Sequence, residues 1–216
     1  VSPLLFFQWL IMARDAYPYI MTPLLISGVC FSLGFSLVAG LSLAVAGFMA
    51  FFFRDPDREI PEDERAIVSP ADGKVAGIAK LDPANPASPT RVSIFLSVFD
   101  VHINRAPLAG RIKSVDYHSG EFKAAFKEAA SLVNEQSVIT IDGNSIQLIF
   151  KQIAGVLARR IVFTKRPGDW VAKGERVGLI KFGSRTDVIL PPEVDVCVKK
   201  GEQVYGGSSI IGRIRV

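Results

Sequence analysis

Cysteine and histidine are scarce in this chain. Its 216 residues include two cysteines, Cys30 and Cys197, and two histidines, His102 and His118. Two distant cysteines make no disulfide framework, and nothing here has metal-ligand spacing, so no metal is expected. The thiols fit a reducing compartment. Blocks of lysine and arginine are also missing, as are aromatics interleaved with basic residues, so no nucleic-acid partner is expected despite a net charge of +4. A mild positive excess fits either an anionic lipid surface or an ordinary basic exterior. The third shortage is local: no charged residue occurs between Tyr19 and Phe53.

That uncharged stretch carries much of the 49% hydrophobic content. As one helix, about 35 residues would run roughly 50 Å, well beyond a hydrocarbon core of roughly 30 Å. Gly34 and Gly40 lie near its middle. The reading is therefore a helical hairpin with segments near 20–33 and 37–53, inserted in or through a membrane; a single tilted span is the second reading. Arg14 precedes the stretch and Arg54 and Arg58 follow it, so charge asymmetry does not set an orientation. A hairpin returns both ends to one side, which points to the cell (inner) membrane with the remainder in the cytoplasm.

Three regions follow: a membrane-associated segment over 1–55, a polar, proline-bearing linker over 56–66, and a β-rich domain over 67–216. The domain reads as short apolar runs separated by Gly, Pro, Asn and Asp: 66–70, 73–79, 91–98, 110–118, 137–142, 145–150 and 155–164. One segment has helical spacing instead, with Phe122, Phe126, Ala129 and Val133 on one stripe. A weak repeat relates GDWVAKGERVGLI from Gly168 to GEQVYGGSSIIGRI from Gly201. Repeated Gly-acid turns joining short strands indicate two interlocking β half-barrels. The fold class is thus mostly β with a few helices: a barrel-sandwich-like domain preceded by a hydrophobic helical hairpin. Such domains include lysine-modified carriers, and Lys181 lies between the half-repeats, but no carrier-type tip surrounds it.

That connection carries Gly183-Ser184 instead. A glycine tolerates strain and close approach, and a serine hydroxyl helped by a base can attack the preceding carbonyl. The ester so formed can eliminate to dehydroalanine, which hydrolyses to a pyruvoyl group with loss of ammonia. Two letters alone do not establish this chemistry; six segments together do more. They are FFFRDPDRE (51–59), VSPADGKV (68–75), FLSVFDVHINRAPLAG (95–110), VDYHSGEF (115–122), IAGVLARRIV (153–162) and GERVGLIKFGSRTDVILPP (174–192). In this order they resemble the short-form phosphatidylserine decarboxylases, which are pyruvoyl-dependent, self-processing proenzymes. The likeness covers nearly the whole chain from the membrane segment onward.

The resemblance implies cleavage between Gly183 and Ser184 into large and small chains of one proenzyme. Pyruvate, bound covalently as a pyruvoyl group made from Ser184, is then the only cofactor. The implied reaction converts phosphatidylserine in the bilayer to phosphatidylethanolamine and CO₂. Asp72, by itself a turn residue, matches the aspartate of the family's serine-activating relay. His102 can exchange a proton near neutral pH, and is the candidate donor to the carbon that loses CO₂. Longer members carry a second histidine three residues on, as relay base; here that position is Arg105. The base for Ser184 is then His102 or, ranked second as auxiliary base, His118. Arg105, Asn104 and Arg185 are candidate substrate-binding residues; Arg159 and Arg160 either meet the lipid phosphate or pair with surface acids. The long-form Leu-Gly-Ser-Thr motif is Phe182-Gly183-Ser184-Arg185 here. A homo-oligomer is compatible with all of this. Two other classes remain: a non-enzymatic membrane-anchored adaptor or carrier, and a membrane-anchored serine hydrolase.

Overall fold

The structure, a computed structural model, describes residues 16–121, 133–155, 160–181 and 184–215, with the side chain of residue 160 excepted. The chain forms two compact units, 1–57 and 58–216. In the first, helix α1 spans Tyr17–Ser32 and helix α2 spans Ser36–Phe52. The hairpin expected over 20–33 and 37–53 is present, and the single span is not. Its turn follows from Gly34, whose φ of 84° is left-handed. With Gly34 in that conformation, Phe35 N–H reaches Cys30 O at 2.8 Å and Gly34 N–H reaches Phe31 O at 3.1 Å, a Schellman ending.

Small residues let the helices approach: Ala39 and Ala46 are buried, and Ser27 Oγ donates to Ala39 O at 2.8 Å. The Tyr19 and Phe53 rings stack at 5.3 Å, closing the open end of the hairpin. Large apolar side chains face outward instead, with Phe31 75% and Leu37 76% exposed. Neither helix reaches membrane thickness: 16 and 17 residues make roughly 24–26 Å at about 1.5 Å each. Among the described residues no helix is long and apolar enough to cross a membrane.

The second unit is built from antiparallel strands: β1 (Ala66–Val68), β2 (Gly73–Lys80), β3 (Thr90–Leu96), β4 (Ile103–Arg105), β5 (Gly110–His118), β6 (Gln136–Asp142), β7 (Gln147–Ala154), β8 (Arg160–Phe163), β9 (Trp170–Val171), β10 (Arg176–Lys181), β11 (Ser184–Leu190), β12 (Val194–Val196), β13 (Gln203–Val204) and β14 (Ile210–Ile214). One sheet of eight strands runs β13-β2-β3-β11-β7-β6-β5-β9; two three-stranded sheets run β4-β10-β8 and β1-β14-β12. The repeat in the sequence is a repeat in space. β9 and β13 cap opposite ends of the large sheet, while β10 and β14 are each the centre of a small one. Gly168 and Gly174 in one copy, Gly201 and Gly207 in the other, all have positive φ. The paired turns are the half-barrel corners that the Gly-acid pattern marks.

Alternation along the strands fills the core. Val92, Ile94, Ile139, Ile141, Leu148, Phe150 and Val188 are all fully buried on one face of the large sheet. Residues 58–65, read as linker, lie in the second unit and bond within it: Lys173 Nζ donates to Asp63 O, and Arg58 pairs with Asp72. The helical stripe over Phe122, Phe126 and Ala129 lies outside the described residues. Its flanks are tied together by Glu121 N–H to Val133 O at 2.7 Å.

Candidate active site

Ser184 is the first residue of β11, the central partner of β3 and β7. It lies opposite Leu96 on β3 and Ala154 on β7, so its side chain shares their face, the core face. It is fully buried, and its hydroxyl has no hydrogen-bond partner among the described residues. Phe182 and Gly183 lie outside the described residues. The neighbouring strand residue is itself anchored: Asn134 Nδ2 donates to Ala154 O at 2.8 Å, and Ala154 N–H to Glu135 O at 2.9 Å.

The turn before β2 and the end of β4 are joined by their backbones, since Arg105 N–H donates to Pro70 O at 2.8 Å. This bond sets Asp72 and His102 on adjoining segments. Asp72 is buried and held at both oxygens: Arg58 Nη2 donates to Oδ2 at 2.6 Å and Gly206 N–H to Oδ1 at 2.7 Å. His102 is 2% exposed. Its Nδ1 lies 2.9 Å from Asp100 O. A carbonyl only accepts, so Nδ1 carries a hydrogen, which leaves Nε2 as the nitrogen that exchanges a proton. The His102 carbonyl accepts from Ile180 N–H at 3.3 Å, fixing the histidine beside β10, the strand that leads to Ser184.

Asn104, Arg105 and Arg185 fall in three different settings. Asn104 is fully buried and its Oδ1 accepts from Gln152 Nε2 at 2.8 Å. That contact ties the small β4-β10-β8 sheet to β7. It passes over Gly178, where a Cβ would sit 2.2 Å from Val162 O and 3.2 Å from Gln152 Nε2. Arg105 is buried and donates through Nη1 to Gly174 O at 3.0 Å. That glycine belongs to a turn stiffened by Glu175, whose Oε2 accepts from Ala172 N–H at 2.8 Å and whose Oε1 meets Lys165. Burial alone would raise the Glu175 carboxyl, but the Lys165 hydrogen bond, the Ala172 amide and the Lys165 charge outweigh it and hold the pKa below its ordinary value.

Arg185 follows Ser184 and therefore points to the opposite face of β11. There it makes a bidentate pair with Asp187, Nε to Oδ1 at 2.6 Å and Nη2 to Oδ2 at 3.2 Å, and also donates to Ser93 Oγ at 2.7 Å. Its geometry is that of a strand anchor. His118 stands on the same opposite face, in the row Arg185–Ile153–Gln136–His118. Three strand spacings put it roughly 14 Å from β11, and it is exposed. The fold thus gathers Asp72, His102 and Asn104 on adjoining segments, linked to β11 through Gln152 and β10, and leaves His118 apart. Arg159, and the side chain of Arg160, lie outside the described residues. Lys181 is only 5% exposed, which does not suit a carrier lysine that must present a swinging group.

Two contributors escape a reading of the sequence. Arg58 sits in what reads as linker, and only the fold shows its guanidinium on Asp72. Gln152 has a detectable signal: it occupies the inward phase of Leu148, Phe150 and Ala154, so it is a polar residue where the alternation demands an apolar one.

The profile of the phosphatidylserine decarboxylase family matches residues 45–212. The chain is 56% identical over 171 residues to a phosphatidylserine decarboxylase proenzyme of Solibacter usitatus (strain Ellin6076), covering 79% of this chain and 81% of that one. It is 50% identical over 173 residues to the proenzyme of that name from Carboxydothermus hydrogenoformans, covering 78% and 80%. A third, from Magnetococcus marinus, is 36% identical over 209 residues, covering 95% and 96%.

Proposed function

The chain belongs to the phosphatidylserine decarboxylase family, and from that premise we propose how its residues divide the work. The protein is a carboxy-lyase made as a proenzyme; it converts phosphatidylserine to phosphatidylethanolamine through a self-made pyruvoyl group. Ser184 is the residue that becomes that group, and Gly183-Ser184 is the bond that breaks. The observation that carries this assignment is the Ser184 hydroxyl: fully buried, orphaned among the described residues, and placed at the head of β11. A nucleophile so placed is shielded from bulk water, and the small side chain of Ala154 stands opposite it. These surroundings fit a pyruvoyl group. When present, that group supplies a carbonyl sink for the electrons released with CO₂.

The chain's own residues bind, orient and move protons. His102 takes the Ser184 hydroxyl proton at Nε2 during self-cleavage and, once protonated, delivers a proton to the substrate carbon that has lost its carboxylate. The Asp100 carbonyl fixes its tautomer for both tasks. Asp72 supplies a fixed negative charge for the cationic histidine. Arg58 and Gly206 keep that carboxylate in place. Arg105 and Asn104 shape the wall on the histidine side.

The hairpin 17–52 anchors the protein in one leaflet of the inner membrane. Its exposed Leu and Phe side chains meet acyl chains, and its return turn keeps both ends on the cytoplasmic side. This lets a lipid substrate be processed without leaving the bilayer.

The test is a pair of variants. Ser184→Ala stays one full-length, inactive chain, and His102→Ala loses decarboxylation. A cleaved Ser184→Ala chain rules out the assignment of Ser184, and full activity in His102→Ala removes the histidine from the mechanism.

A further inference from the structure

Three buried polar atoms on one face of the paired strands β7 and β11 have no partner among the described residues: Ser184 Oγ, Thr186 Oγ1 and Gln152 Oε1. All three residues are fully buried. Ser184 and Thr186 are two apart on β11 and share a face. Thr186 lies directly opposite Gln152 on β7, and Ser184 lies diagonal to it. Diagonal Cβ atoms are roughly 7–8 Å apart, which a glutamine side chain can bridge.

The orientation of Gln152 follows from its neighbours. Its amide nitrogen faces two acceptors, Asn104 Oδ1 at 2.8 Å and Val162 O at 3.3 Å. Its oxygen is therefore the free end, and it can only accept. Thr186 Oγ1 can donate or accept. Each unpaired buried group costs about 1–3 kcal/mol, so three together on one patch point to a polar guest. The guest must donate to Gln152, exchange a hydrogen bond with Thr186, and be small. A carboxylate meets the glutamine oxygen lone pair to lone pair. Water satisfies all three atoms at once.

The chemistry consumes one water. When the Gly183–Ser184 bond breaks, Ser184 Oγ leaves with Gly183 as a carboxylate. The Ser184 Cα proton departs as the Cβ–Oγ bond breaks, which leaves dehydroalanine at residue 184. To become pyruvoyl, that residue takes up one water. The water oxygen bonds to Cα, the Cα–N bond breaks, nitrogen leaves as ammonia, and Cβ becomes a methyl group. No oxidant or reductant is needed. Ser184 is closed to bulk solvent, so the water has to be held inside.

We infer that Thr186 and Gln152 hold the water consumed in making the pyruvoyl group, with Asn104 orienting Gln152. They are positioning residues. The inference rests on the self-processing reading above.

The experiment follows the full-length protein after synthesis by intact mass, with parallel samples reduced by borohydride before denaturation. Reduction turns the unhydrolysed form of residue 184 into an N-terminal alanine and a finished pyruvoyl group into a lactoyl cap. Thr186→Val removes the hydroxyl at constant shape. It is expected to cleave at the wild-type rate, to convert about tenfold more slowly, and so to accumulate the alanine form. Thr186→Ser restores conversion. The thermal midpoint of Thr186→Val stays within about 2–4 °C of wild type, because only a hydrogen bond to a held water is given up and a methyl group fills the same space. Gln152→Met, should Thr186→Val not fold, is expected to accumulate the same alanine form. Wild-type conversion in the folded variants overturns the inference, as does loss of the cleavage step in both. A wild-type chain that never cleaves, or yields an ordinary serine terminus, overturns the self-processing reading itself.

Discussion

Arg185 and Asp187 offer a direct measure of how β11 is held. Their side chains are 2% and 0% exposed, and two N–H···O bonds at 2.6 and 3.2 Å join them. In Asp187→Ala the guanidinium stays buried and loses its bidentate carboxylate, while Nη2 keeps its bond to Ser93 Oγ. An exposed ion pair would cost about 0.2–1 kcal/mol to remove. A buried charge stripped of its partner costs about 3–5 kcal/mol. For a chain of this length, that lowers the thermal midpoint by roughly 6–20 °C. The comparison is made in the Ser184→Ala background, so that every sample is one intact chain and unfolding is not mixed with processing. Urea denaturation in detergent gives the free energies. Replacing both partners, as Arg185→Met with Asp187→Leu, recovers most of the loss because no buried charge is left. In the processing-competent chain, Asp187→Ala also slows cleavage, since the anchor next to Ser184 is lost. A loss below about 1 kcal/mol for Asp187→Ala refutes the reasoning and returns Arg185 to the list of residues available to substrate.

Other expectations follow from the same geometry. His118→Ala, exposed and three strands from β11, processes and decarboxylates within about twofold of wild type; a block at cleavage, read by gel, makes it the base. The Glu175 carboxyl has its pKa lowered in the folded state by Lys165 and the Ala172 amide, against the opposing effect of burial. Its stabilising contribution is therefore present above the ordinary value of 4.5 and is lost as pH falls through the lower folded value. Glu175→Gln should flatten that acid limb in urea titrations, and an unchanged limb contradicts the assignment. Phe31→Asp with Leu37→Asp puts two charges on the outward face of the hairpin and is expected to release the protein from vesicles in flotation assays. Undiminished binding argues against the hairpin as anchor.

The hairpin was legible because its signals are local. The uncharged run and the central glycine placed the helices within a few residues of Tyr17–Ser32 and Ser36–Phe52. The half-barrel repeat was legible because each copy needs glycine at the same two left-handed corners. The site was legible only in part. Motif order marked Asp72, His102 and Ser184, yet the face that each residue occupies depends on register. Strand alternation alone separates Arg185 from Ser184, and that inference requires knowing that β11 begins at 184. The distance of His118 follows from two intervening strands that pair across the sheet, which no spacing in the sequence encodes. Arg58 was hidden for a related reason: a charged residue in a proline-bearing stretch looks solvated until the fold supplies its partner.

The most direct test of the central claim is a denaturing intact mass of the purified protein. The account expects two chains, one ending at Gly183 and one starting at residue 184, with the smaller lighter than its serine form by one ammonia. A single chain of 23.5 kDa that persists after incubation with phosphatidylserine vesicles would contradict it, as would a small chain carrying a free serine amine.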